Sequence, residues 1–134
     1  MIAIDTSVAI DFLRGKESSV STIESSQKVT DSICISTVSL FELLYPLYHR
    51  KLDAQEKVVR SFVHQMKVLP LDSDAAEQSV KIMGSLLRIG KPVNALDVLI
   101  AGTIMASGAE KVLSKDSDYE KIAKVSDLKV QIIR

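Results

Sequence analysis

The sequence predicts an α/β fold: a three-layer α/β/α arrangement with a central, mainly parallel sheet of about five short strands flanked by helices. Three observations predict it. Short runs rich in Ile and Val alternate with longer segments of helical period, the pattern of a parallel sheet covered by helices. The helical segments begin at capping-type residues and stop at Gly. No linker, repeat or composition break divides the chain, which is expected to form one domain over 1–134.

Met1 to Asp5 is the first strand. A short helix follows with Val8, Ala9, Phe12 and Leu13 on one side and Gly15 at its stop. Glu17 to Ser26 reads as a second helix and Ile33 to Ser36 as strand two. Thr37 to about Tyr48 reads as helix, and Pro46, which lacks an amide hydrogen, is expected to bend or interrupt it. Asp53 with Glu56 makes a capping-box-like start for a helix whose apolar face is Val58, Val59, Phe62, Val63 and Met66. Val68 and Leu69 form a short strand ended by Pro70. Asp74 with Glu77 repeats the capping pattern for a helix carrying Ala76, Val80, Met83, Leu86 and Leu87 and stopping at Gly90. Asn94 to Ser107 is helix ended by Gly108, Lys111 to Ser114 strand, Ser117 to Lys124 helix, and Lys129 to Ile133 the last strand.

The chain has 134 residues, 46% of them apolar, and 17 basic against 17 acidic side chains, which excludes intrinsic disorder and a generally basic nucleic-acid binder. A polyanion must then be met by a local patch or through a cation. The single cysteine, Cys34, reads as a small buried hydrophobe, and one cysteine makes no internal disulfide. Met1-Ile2-Ala3-Ile4-Asp5 is not read as a signal peptide, no stretch reaches the ~20 apolar residues of a membrane span, and a reducing cytoplasm is the expected compartment.

The informative residues are acids in otherwise apolar or uncharged surroundings, where an ionised carboxylate is costly unless something positive compensates it. Asp5 is the only charged residue among the first ten. Glu42 is the only Asp, Glu, Lys or Arg between Asp31 and Arg50, and Asp97 is the only one between Lys91 and Glu110. Asp5 also suits a helix cap, and Asp97 suits the positive end of its helix dipole. Glu42 lies well inside its helix, with no Lys or Arg three or four positions away. A fourth acid, Asp116, follows a strand, with Asp118 as a solvated neighbour or alternative ligand. Functional groups of an open parallel sheet gather outside the carboxyl ends of its strands, near the point where strand order reverses. Four carboxylates there repel one another without a counter-ion, and oxygen-only ligation suits Mg²⁺ or Mn²⁺ over zinc. The implied chemistry is metal-assisted phosphodiester hydrolysis.

These residues resemble those of PIN-domain nucleases, in particular the VapC-type ribonuclease toxins of toxin-antitoxin pairs. The resemblance covers essentially the whole chain and rests on Ile2-Ala3-Ile4-Asp5-Thr6-Ser7, Ile35-Ser36-Thr37-Val38-Ser39-Leu40-Phe41-Glu42-Leu43, Leu96-Asp97-Val98-Leu99-Ile100-Ala101 and Val112-Leu113-Ser114-Lys115-Asp116-Ser117-Asp118-Tyr119. Each motif is short, but all four stand in the family's order and spacing. The resemblance implies that Asp5, Glu42, Asp97 and Asp116 form the acidic metal site, Asp5 and Asp97 first among them, with Ser7, Ser114 and Asp118 in support. Ser7 stands where the family more often has Asn, and Ser114 where it often has Thr. The implied cofactor is Mg²⁺, with Mn²⁺ as a substitute. Arg14, Lys16, Arg50, Lys51 and Lys115, with His49 and Lys91, are the basic residues expected near RNA phosphates. Few aromatic residues lead to an expectation of RNA shape recognition over base stacking.

The helix after strand two is apolar on more sides than one core covers, through Leu40, Phe41, Leu43, Leu44, Leu47 and Tyr48. That leaves either a partner surface or a face covered by the helix from Asp53. The resemblance implies a homodimer and an antitoxin that blocks the active site. The alternative function is a catalytically silent PIN fold used as a protein-binding module. A haloacid-dehalogenase phosphatase needs a second Asp where this chain has Ser7, and a response receiver needs an adjacent acidic pair that is missing.

Overall fold

The computed structural model describes residues 1–30 and 32–134. β1 (Ile2–Ile4), β2 (Ile33–Ser36), β3 (Lys67–Leu69), β4 (Lys111–Ser114) and β5 (Val130–Ile132) form one sheet in the order β3-β2-β1-β4-β5. Every neighbouring pair is parallel. The chain runs outward from β1 to β3 on one side and resumes with β4 on the other, so strand order reverses between β1 and β4. The carboxyl ends of those two strands flank the crevice where ligands of such sheets bind.

Seven helices make the outer layers: α1 (Thr6–Leu13), α2 (Glu17–Gln27), α3 (Thr37–His49), α4 (Asp53–His64), α5 (Ser73–Arg88), α6 (Ala95–Ser107) and α7 (Asp118–Lys124). Side chains alternate across each strand, and the alternation sorts them into two cores. Ala3, Cys34 and Val112 join Ile82, Leu86, Ile100, Ile104 and Tyr119 from α5, α6 and α7. Ile2, Ile4, Ile33, Ile35 and Leu113 join Val8, Ile23, Val59 and Val63 from α1, α2 and α4. Cys34 is buried and free, and its burial pushes the thiol up to about 11.

Several local expectations shift. α3 runs through Pro46 to His49 without interruption. The proline removes only the bond its own amide would make to the carbonyl of Glu42, and its own carbonyl still accepts from Arg50. Asp53 and Glu56 lie in the first turn of α4, after a Leu52 cap that makes no side-chain bond, so they act on the helix dipole and not as a capping box. The cap of α5 is Asp72, which accepts from the Ala75 amide at 2.9 Å; Asp74 falls inside the first turn.

The face of α5 is also rotated from the expected one. Ala75, Ser79, Ile82 and Leu86 are buried, whereas Val80 and Leu87 are 65% and 59% exposed. The cause is α6. A Cβ on Gly102 would collide with the Ser79 hydroxyl and stand 2.8 Å from the Ser79 amide nitrogen and 2.9 Å from the Ala75 carbonyl. Two helices this close must meet through small residues, and small residues are what a hydrophobic pattern overlooks.

Candidate active site

Three strand-to-helix junctions and the first turn of α6 bring the acids together. Asp5 ends β1 and caps α1, with Oδ1 accepting from the Val8 amide at 2.9 Å and from the Ser7 hydroxyl at 2.7 Å. Its Oδ2 accepts from the Ser114 hydroxyl at 2.5 Å. Ser7 in turn accepts from the Lys115 amide, and Ser114 from the Asp116 amide. The two serines named as supporting residues therefore stitch the end of β1 to the end of β4 through the Asp5 carboxylate.

Asp116 follows β4, and its Oδ1 accepts from the Asp118 amide at 2.9 Å as α7 begins. Asp97 stands in the first turn of α6, whose cap is Asn94. Carboxylate oxygens of Asp97, Asp116 and Asp118 all lie within 4.8 Å of one another. Asp118 thus sits in the convergent group, and Asp5 and Glu42 lie near enough for their charges to act on Asp97. Glu42, in the second turn of α3, accepts at Oε1 from the Thr6 hydroxyl at 2.7 Å. Thr6 stands inside the first motif beside Asp5, yet no role of its own is expected of it from the sequence. Ser39, which contacts Thr6, precedes Glu42 by three residues and so shares its helix face.

The electrostatics are unbalanced. Burial first, then the charges of Asp116, Glu42, Asp5 and Asp118, push the Asp97 carboxyl up to about 7. Burial also raises Asp5, against the lowering effect of its three hydrogen bonds. Among the described residues no Lys or Arg pairs with Asp5, Glu42, Asp97 or Asp116; Asp118 pairs with Lys121 at 3.0 Å. Tyr119 is fully buried, its hydroxyl has no partner among the described residues, and the charges of Asp5, Asp97, Glu42 and Asp116 add to the burial that raises it well above its ordinary value. An all-oxygen donor set in which only Asp118, among the described residues, has a basic partner fits a hard divalent cation.

The PIN domain family model matches residues 2–125. The chain belongs to the PIN domain family. Similar proteins include the tRNA(fMet)-specific endonuclease VapC of Shigella flexneri, 30% identical over 120 residues that make up 89% of each chain. The protein of the same name from Salmonella typhimurium is 34% identical over 96 residues, 69% of this chain and 71% of that one. Among solved structures, a chain of VapBC2 from Rickettsia felis, bound to a DNA fragment from its promoter, superposes with a TM-score of 0.86 over the whole of both chains at 18% identity. A chain of DNA-bound VapBC from Salmonella typhimurium gives 0.82 over 99% of this chain and 98% of that one, at 24% identity. The three-layer α/β/α PIN fold expected from the sequence is the fold found.

The basic residues lie less centrally. Arg14 and Lys16 follow the far end of α1, and Arg50 and Lys51 follow the far end of α3. By helical rise Arg14 is about 13 Å along α1 from Asp5 and Arg50 about 12 Å along α3 from Glu42. Lys115 adjoins the acids, but its ammonium is held by Asp11 at 2.6 Å. His49 and Lys91 are exposed. On α3, Leu40, Leu44 and Leu47 pack toward α1 and α4, while Phe41, Tyr45 and Tyr48 remain exposed. The helix from Asp53 therefore covers one side of α3 and leaves the aromatic side exposed.

Proposed function

We propose that this PIN-domain chain is a divalent-metal-dependent ribonuclease that hydrolyses RNA phosphodiester bonds and serves as the toxin of a VapBC-type toxin-antitoxin pair. The observation that carries the reading is the approach of Asp97, Asp116 and Asp118 to within 4.8 Å at the switch between β1 and β4, with no basic partner for Asp97 or Asp116 among the described residues. Similarity over 89% of the chain to a relative named a tRNA-specific endonuclease supports nuclease chemistry and makes initiator tRNA the first substrate to test.

Asp97 and Asp116 would hold Mg²⁺ or Mn²⁺ directly, Asp118 would complete the trio, and Asp5 and Glu42 would orient ligands or bound water. A bound divalent ion lowers the pKa of a coordinated water and stabilises charge on the phosphate being cleaved. Ser7 and Ser114 hold Asp5 in place by donating to both of its oxygens. Lys115 is placed to meet a phosphate once released from Asp11, and Arg14, Lys16, Arg50 and Lys51 would meet RNA farther along the strand. The exposed aromatic side of α3 and the groove between α1, α3 and α4 are offered to the antitoxin and to a second copy of the chain. No helix among the described residues is long and apolar enough to cross a membrane, and the activity is assigned to the cytoplasm.

The test is cleavage of initiator tRNA by the purified chain in Mg²⁺ or Mn²⁺, against chelator and against Asp97→Asn and Asp116→Asn. Cleavage should require the ion and fall by at least about 100-fold in either variant, the scale of removing one electrostatic contributor to a transition state. Turnover that survives chelator and both substitutions would refute the metal site. A folded chain inert on tRNA, rRNA and mRNA would favour a protein-binding module.

A further inference from the structure

Glu42 is the acid of the site with the most conformational freedom. A glutamate on one face of a helix has three rotatable bonds, and ordering a side chain of this kind costs up to about 2 kcal/mol in rotamer freedom. Something must hold it, and among the described residues its carboxylate receives one hydrogen bond, from Thr6 Oγ1 to Oε1 at 2.7 Å.

That bond is the end of a chain. Thr6 Oγ1 also lies 2.9 Å from Ser39 Oγ, and Ser39 Oγ lies 3.4 Å from Ser36 Oγ. A hydroxyl has a single hydrogen, so the chain must have a direction. The short bond to a carboxylate takes the Thr6 hydrogen, because a charged acceptor makes the stronger bond. Ser39 then donates to Thr6, and Ser36 donates to Ser39 while accepting from the Ser39 amide at 3.1 Å. Ser36 and Ser39 are fully buried, where a hydroxyl needs a partner for its hydrogen. All three hydroxyls point their hydrogens toward Glu42, and among the described residues its Oε2 has no donor.

We infer that Thr6 is a positioning residue for Glu42: its hydroxyl, oriented by Ser39 and Ser36, fixes Oε1 and would leave Oε2 free to meet the ion or its bound water. The inference rests on the metal-dependent reading of the site. It also gives the tripeptide after β1 a division of labour, since Asp5 and Ser7 tie β1 to β4 while Thr6 ties α1 to the acid on α3.

The test uses the whole chain with Thr6→Val, which keeps the branched shape and removes the hydroxyl, and Thr6→Ser, which keeps the hydroxyl. Mn²⁺ affinity is read by calorimetry, alongside thermal melting and RNA cleavage. Thr6→Val should bind Mn²⁺ about 10- to 100-fold more weakly, the usual effect of removing a partner that orients a ligand, and should lose cleavage in proportion. Its metal-free melting temperature should fall modestly, because buried Ser39 loses its acceptor, while the chain stays folded. Thr6→Ser should recover both binding and cleavage, and Ser39→Ala should show a smaller loss in the same direction. A Thr6→Val variant that binds Mn²⁺ as the parent does, or a Thr6→Ser variant no better than Thr6→Val, overturns the inference. A parent chain that binds no Mn²⁺ overturns the metal reading along with it, a result distinguishable because the parent itself fails.

Discussion

Asp5 accepts hydrogen bonds from Ser7, Val8 and Ser114, whereas among the described residues Asp97 meets only burial and like charge. The two Asp→Asn substitutions should therefore move stability in opposite directions. Asp5→Asn turns an amide group toward donors and should cost about 1–2 kcal/mol in chemical denaturation, combining a weakened cap with a mismatched bond. Asp97→Asn removes a repelled charge and should raise the metal-free melting temperature at neutral pH. The pH dependence follows from the same shift. With Asp97 raised from its usual 3.8 to about 7, the folded chain keeps a proton that the unfolded chain has already lost. The unfolded state binds fewer protons in that window, so metal-free stability should fall as pH rises from about 4 to 7 and level off above it. Melting curves of the parent and Asp97→Asn across that range check this, since the fall attributable to Asp97 should vanish in the variant.

The contact between α5 and α6 shows how an element can be legible in outline and misread in detail. The length of α5 and its stop near Gly90 follow from periodicity and glycine chemistry. Its buried face does not, because Ala75 and Ser79 face Gly102 and carry little hydrophobic signal. Val80 and Leu87 carry more, yet point outward. Gly102→Ala should cost about 1–3 kcal/mol, the range for overpacking. Ser79→Ala should not rescue it, since two of the three atoms in the way are backbone. Denaturation of the single and double variants decides the matter. Pro46 is a parallel case: a helix breaker by composition, it costs α3 one internal bond and leaves a further turn intact.

At the scale of the whole molecule, the site is a set of like charges held together by the fold around it. A divalent cation that binds the folded chain alone should stabilise it by mass action, by about 2.7 kcal/mol at a hundred times its dissociation constant. The melting temperature of the parent should rise with Mg²⁺ or Mn²⁺, and that rise should shrink sharply in Asp97→Asn combined with Asp116→Asn. An equal rise in the double variant would place the ion elsewhere.

Asp5, Glu42 and Asp97 were legible one by one because each breaks an apolar or uncharged stretch, Asp116 only by its place after a strand, and the strands and helices were legible because burial imposes its period on the side chains. Both are properties of neighbours along the chain. Which acids stand closest, that Asp118 joins Asp97 and Asp116, that Lys115 is held by Asp11, and that Thr6 reaches Glu42 from 36 positions away were decided by the folded structure alone. Such distances depend on the order of strands in the sheet and on how closely helices approach, and local periodicity carries no information about either.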